Sequence, residues 1–177
     1  MKKVKKVKKV TIVNNPLCIV GIGASAGGLE ALKDFFSHVP TASNIAFVVI
    51  QHLDPTHKDI MHELLQRTTS MKVTQAQNHI KVKPNCVYLI PPNKDLSILN
   101  GVLFLLEPVS SRGLRLPINF FFRSLANDQQ ERAVGVILSG MGSDCLLSPS
   151  HAADDVDIVD IVDRRILKNR HAANNNT

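Results

Sequence analysis

Leu17-Cys18-Ile19-Val20-Gly21-Ile22-Gly23-Ala24-Ser25-Ala26-Gly27-Gly28, running on into Leu29 to Phe36, is the stretch that decides the fold. Leu17 to Val20 is a continuous apolar run bounded by small residues, the pattern of a short buried strand. Leu29 to Phe36 has the spacing of an amphipathic helix. Ser25 therefore falls at a strand-to-helix turn, and Gly23 to Gly27 fits G-x-S-x-G, a pattern that presents a nucleophile on a sharp bend. Small residues let the backbone turn there without a Cβ clash. The N–H groups at the start of the helix would face whatever the hydroxyl attacks.

The same turn admits two other readings. A dinucleotide-phosphate loop has the form G-x-G-x-x-G. Gly21 and Gly23 fit it, but the third glycine comes one place late, at Gly27, with Ala26 in its slot. A ribose-binding carboxylate is expected about 20 residues further on, where this chain has Ser43 and Asn44. A plain structural bend is the third reading. The turn alone leaves nucleophile, phosphate site and structural bend open.

Beyond the turn, strand and helix signals alternate. Ile45 to Ile50 is an unbroken, β-branched apolar run, as expected of a strand covered on both faces. Asp59 to Arg67 has helical spacing, Val73 to Ala76 reads as a short strand, and Val87 to Ile90 as a better one stopped by Pro91-Pro92. Leu96 to Leu99 and Val102 to Leu106 flank Asn100-Gly101, a hairpin signal, because that dipeptide accepts the positive φ of a type I′ turn. Pro117 starts a helix through Leu125. Ala133 to Leu138 is the last clear strand. The pattern predicts an α/β fold: a mostly parallel, doubly wound, Rossmann-like sheet with an inserted antiparallel hairpin.

In such sheets function gathers at the carboxyl ends of strands. Ser25 follows the first strand, Gln51-His52-Leu53-Asp54-Pro55 the second, and Ser139-Gly140-Met141-Gly142-Ser143-Asp144 the last. A serine, a histidine and a carboxylate would converge on one rim. That set suits acyl transfer: histidine takes the hydroxyl proton, and the carboxylate fixes its tautomer. Singly, His52 also suits a hydrogen-bonded strand end, and Asp144 a glycine turn. His57, His62, His79 and His151 read as surface groups, and His38 as the end of its helix.

The 177 residues suffice for one domain with a core. The net charge of +6 is matched by Lys2, Lys3, Lys5, Lys6, Lys8 and Lys9 of the Lys-Lys-Val tail, which leaves the remainder near neutral. Such a tail could touch nucleic acid or an anionic membrane, but a solvated extension is the simpler reading. No nucleic-acid partner and no membrane insertion are expected, since no apolar stretch is long enough to span a bilayer. Cys18, Cys86 and Cys145 form no paired spacing; Cys18 and Cys86 read as buried thiols, and the odd count suits a reducing cytoplasm.

Pro16 to Asp144 resembles the catalytic domain of the chemotaxis protein-glutamate methylesterases (CheB). The likeness rests on Ile19 to Gly28, Gln51-His52, Pro91-Pro92, Pro117-Ile118, Phe121-Phe122-Arg123-Ser124-Leu125-Ala126 and Leu138 to Asp144. The Phe-Phe-Arg-Ser-Leu-Ala wording is most similar to the branch fused to a chemotaxis methyltransferase. The resemblance implies catalytic Ser25, His52 and Asp144, with the N–H groups of Ala26 and Met141 holding the oxyanion. It implies hydrolysis of glutamate methyl esters on the cytoplasmic helices of methyl-accepting chemoreceptors, and in some relatives deamidation of receptor glutamine. It implies a methyltransferase module as a partner, a cytoplasmic location, and neither cofactor nor metal.

The chain departs from the family pattern in places. Cys145 stands where the family has glycine, and Asn119 where it commonly has aspartate. After Cys145 the resemblance stops, and the lysine tail is expected in place of the family's regulatory receiver domain before Pro16. The expected organisation is a basic tail at 1–13, an incomplete methylesterase-like domain at 14–145, and a divergent, disordered tail at 146–177. Activity is expected to suffer from the altered end. An inactive domain keeping only fold or receptor binding is the first alternative, and a phosphate- or nucleotide-binding α/β domain the second.

Overall fold

The structure, a computed structural model, describes residues 16–24, 28–51, 58–108, 116–138, 157–162 and 165–168. Strand β1 spans Cys18–Ala24, helix α1 Gly28–His38, strand β2 Ile45–Gln51 and helix α2 Lys58–Thr68. Strands β3 (Lys72–Gln75), β4 (Ile80–Lys81), β5 (Cys86–Leu89), β6 (Asp95–Leu99) and β7 (Val102–Leu106) follow. Helix α3 (Pro117–Gln129) leads through a 3₁₀ turn, Gln130–Arg132, to β8 (Ala133–Ile137). Strands β9 (Asp157–Val162) and β10 (Arg165–Lys168) come last.

The main sheet has the order β10-β9-β8-β1-β2-β5-β3. Every neighbouring pair is parallel except β9 with β10. Its two faces are covered by different elements, which confirms the doubly wound α/β class. On one side Ile19, Val48, Ile50 and Tyr88 pack with Ile118, Phe121 and Leu125 of α3 and with Leu96, Ile98 and Leu103 of the second sheet. On the other, Val20, Ile22, Phe47, Val49 and Val87 pack with Leu32 and Phe36 of α1 and Met61 and Leu65 of α2. Alternate residues of β1 and β2 thus serve opposite cores, which is why these strands are apolar throughout. Among the described residues, no helix is long and apolar enough to cross a membrane.

The first strand is longer than its apolar run indicates. Val20 was its expected end, but pairing continues through Gly21, Ile22 and Gly23 to Ala24. Glycine is a poor strand former in isolation. Here it is held by partners on both sides and by α3 lying flat against it. A Cβ on Gly21 would stand 3.0 Å from Phe122 Cε1, and one on Gly23 2.6 Å from Ile118 Cγ2. Both glycines are therefore packing requirements of the α3 contact.

The inserted hairpin forms with Leu99 opposite Val102 and positive φ at both Asn100 (53°) and Gly101 (68°), as a type I′ turn requires. It is part of a three-stranded sheet, order β4-β7-β6, because the brief β4 pairs with β7. The carboxylate of Asp128 on α3 accepts from the N–H groups of Asn100 and Gly101, fastening the turn to the helix.

Beyond residue 145 the structure describes two strands: β9 pairs with β8, and β10 returns along β9 as the edge. The expected status of Cys18 and Cys86 changes: both are half-buried, because each begins its strand. Burial still pushes the Cys18 thiol pKa up. Cys145 and the lysine tail lie outside the described residues.

Candidate active site

The candidate rim is assembled by strand order and register. β1 lies between β2 and β8, with Ala24 opposite Gln51 and Gly23 opposite Ile137. The ladder continues one step further, where Leu138 N–H donates to the Gly23 carbonyl at 2.9 Å. Beyond β2, Ile90 N–H donates to Val49 O at 3.0 Å, bringing the end of β5 to the same rim. Adjacent strands are spaced by about 4.8 Å, so the chain leaves Ala24, Gln51 and Leu138 within roughly 10 Å. Residues 25, 52 and 139 are the first after these ends.

Ser25, Ala26, His52, Met141 and Asp144 themselves lie outside the described residues. The structure describes the strand ends that carry them. Ala24 is fully buried in the core that α1 and α2 cover, and Gln51 is a buried polar residue at the end of β2. α1 begins at Gly28, so only residues 25–27 separate the end of β1 from the helix.

A second element reaches the rim that sequence reasoning did not assign to it. Gly21 meets Phe121, Phe122 and Leu125, whereas Gly23, nearer the strand's carboxyl end, meets Ile118. Helix α3 therefore runs antiparallel to β1 and puts its N-terminus beside the carboxyl end of that strand. The sequence carried a signal in the small residues Gly21 and Gly23, which leave room for a helix. Asn119, in the first turn of α3, accepts a hydrogen bond from Arg123 Nε at 3.1 Å.

The geometry bears on the phosphate reading. In the dinucleotide fingerprint the first two glycines shape the turn and admit the pyrophosphate. Gly21 and Gly23 instead lie within β1, paired on both sides and covered by α3. No ligand could approach those backbone positions without displacing the helix.

The fold and rim define a doubly wound α/β domain with its candidate chemistry at the carboxyl ends of three adjacent central strands. Residues 20–150 match the family model of the CheB methylesterase, and the chain belongs to that family. It is 33% identical over 131 residues to a protein-glutamate methylesterase/protein-glutamine glutaminase of Photorhabdus laumondii, covering 71% of this chain and 37% of that protein. It is 35% identical over 127 residues to a protein of the same description from Pseudomonas aeruginosa, covering 71% and 38%. The crystal structure of the Thermotoga maritima CheB methylesterase catalytic domain superposes with a TM-score of 0.63 at 28% identity, covering 72% of this chain and 69% of that one. The chain thus spans little more than a third of the length of these two curated relatives.

Proposed function

We propose that this chain is a protein-glutamate methylesterase domain that hydrolyses glutamate γ-methyl esters on the cytoplasmic helices of chemoreceptors. The observation that carries this reading is the adjacency of the β1, β2 and β8 ends, with Ala24 opposite Gln51 and Gly23 opposite Ile137. Ser25 Oγ attacks the ester carbonyl while His52 takes its proton. The N–H groups of Ala26 and Met141 hold the oxyanion. The intermediate collapses, His52 returns the proton to the departing methoxide, and methanol leaves. His52 then deprotonates a water that attacks the acyl-serine. The C–O bond to Ser25 breaks, Oγ recovers its proton, and free glutamate remains. Asp144 accepts from the other ring nitrogen of His52, fixing its tautomer. Deamidation of a receptor glutamine follows the same path with ammonia as the leaving group. The domain organisation proposed with this reading is a basic tail at 1–13, an incomplete catalytic unit at 14–145 and a divergent tail at 146–177, working in the cytoplasm beside a methyltransferase module.

Labelling by a serine-directed fluorophosphonate tests the nucleophile. The reagent should attach at Ser25, located by peptide mass, and fail on Ser25→Ala or on unfolded protein. A second reading, an inactive domain that retains the fold, is favoured by Cys145 at the family's glycine position. A folded protein that never labels at Ser25 would establish it.

A further inference from the structure

We infer that the outer face of α3 next to the rim, formed by Leu116, Phe120 and Arg123, is the surface on which the ester-bearing helix of the protein substrate docks. The inference rests on the methylesterase reading above and names where its substrate lies. Three observations carry it.

The first is position. Because Ile118 sits over Gly23, the opening turn of α3 borders the end of β1, from which Ser25 follows. The second is composition. Leu116 is 40% and Phe120 44% exposed, although most large apolar side chains nearby, such as Ile118, Phe121 and Phe122, are buried. Residues 116, 120 and 123 follow one another at helical spacing along one side. They make an apolar pair at the rim, with a cation one turn further from it. The third is charge. Arg123 is exposed, its Nε donates to the neutral amide of Asn119, and no carboxylate among the described residues pairs with it.

A glutamyl ester on a folded helix cannot enter a site alone. The helix that carries it must rest on the surface around the nucleophile. An amphipathic helix offers apolar residues at i and i+4 for Leu116 and Phe120, and a neighbouring glutamate on the same substrate offers a carboxylate to Arg123. Burying an exposed aromatic in the centre of such a contact is the usual source of hot-spot binding energy.

The test measures binding separately from turnover. A Ser25→Ala protein is titrated with a purified, methyl-esterified cytoplasmic receptor fragment. The double substitution Leu116→Ser/Phe120→Ser should raise Kd about tenfold or more, and Arg123→Glu should raise it most at low salt. On the Ser25 background, the apolar double substitution should raise KM for the receptor ester and leave hydrolysis of p-nitrophenyl acetate within about twofold. Unchanged receptor affinity in both variants would overturn the proposal. So would a large fall in Tm or a change of oligomeric state on the double substitution, which would mean that the patch is covered by this chain or by a second copy. Receptor binding that depends on Phe120, without any ester hydrolysis, would support the docking face while refuting the catalytic reading.

Discussion

Gly23 of β1 lies directly beneath Ile118 of α3: a Cβ built on the glycine would stand 2.6 Å from Ile118 Cγ2 and 3.0 Å from Ile137 Cδ1. This contact fixes the height of α3 on the sheet and brings the helix's first turn to the rim. Substitution of Gly23 by alanine should cost about 1–3 kcal/mol through overpacking. Ile118→Ala leaves a cavity and should cost about 2–5 kcal/mol by itself. Together the two should cost less than their sum, since each relieves the other's defect. Denaturant unfolding of the four proteins reads this directly; strict additivity would show that helix and strand do not meet there.

The hairpin turn gives an independent test on the opposite side of the molecule from the rim. Asp128 accepts hydrogen bonds from Asn100 and Gly101 N–H groups. Asp128→Ala removes both and should destabilise the fold by about 1–3 kcal/mol. Gly101→Ala adds the strain of φ 68° on a residue with a Cβ, about 1 kcal/mol. Both losses should appear in Tm without altering fluorophosphonate labelling at Ser25. Reduced labelling would mean that the small sheet also shapes the rim.

Alkaline pH should weaken the fold. Burial raises the pKa of Cys18, and burial is likewise the first cause of the raised pKa of Tyr88, partly offset by the Lys83 N–H donated to its hydroxyl. Both groups are neutral when protonated, so folding favours their protonated forms. The stability this contributes is full below their unfolded pKa values and is lost as pH rises through and above that range. Stability measured across mildly to strongly alkaline pH should fall, and Cys18→Ala together with Tyr88→Phe should flatten the decline. A decline of equal slope in the double variant would contradict it.

The basic tail should be dispensable for folding. The buried apolar core of the described residues begins at Ile19, so removing residues 1–13 should leave the cooperative thermal transition in place. Loss of that transition would show that the tail packs.

Much of this architecture was legible because central parallel strands are covered twice. Ile45 to Ile50 reads as such a strand from its β-branched, unbroken apolar run, and Asn100-Gly101 as a tight turn between strands. The boundaries of β1 were not legible. Gly21 and Gly23 read locally as turn residues, and it is pairing with β2 and β8 together with the distant Phe121, Phe122 and Ile118 that holds them in the strand. The same long-range contact hid the role of α3 at the rim. β9 falls in the stretch past the family resemblance, where aspartate alternates with valine and isoleucine. Of the candidate site, the convergence of the first, second and last strand ends on one rim was expected, and the order β8-β1-β2 bears it out. Ser25, His52 and Asp144 lie outside the described residues, in segments that no strand pattern specifies.

The carboxylate is the proposed weak member of the triad. Ser25 and His52 follow strands paired on both sides, whereas Asp144 is followed by Cys145 in place of a glycine. A triad carboxylate works through the orientation it imposes on histidine, and losing that control costs about 10⁴-fold in a serine protease. Activity should therefore be low, with Ser25→Ala abolishing it and Asp144→Asn causing little further loss. A severe defect in Asp144→Asn would show instead that the carboxylate is well held.

Methanol release from a methyl-esterified receptor fragment, compared between the unaltered protein and Ser25→Ala, tests the central claim most directly. The account predicts slow, enzyme-dependent release by the unaltered protein and none above background with Ser25→Ala. Equal release by both, or none from a folded protein that leaves Ser25 unlabelled, would contradict it.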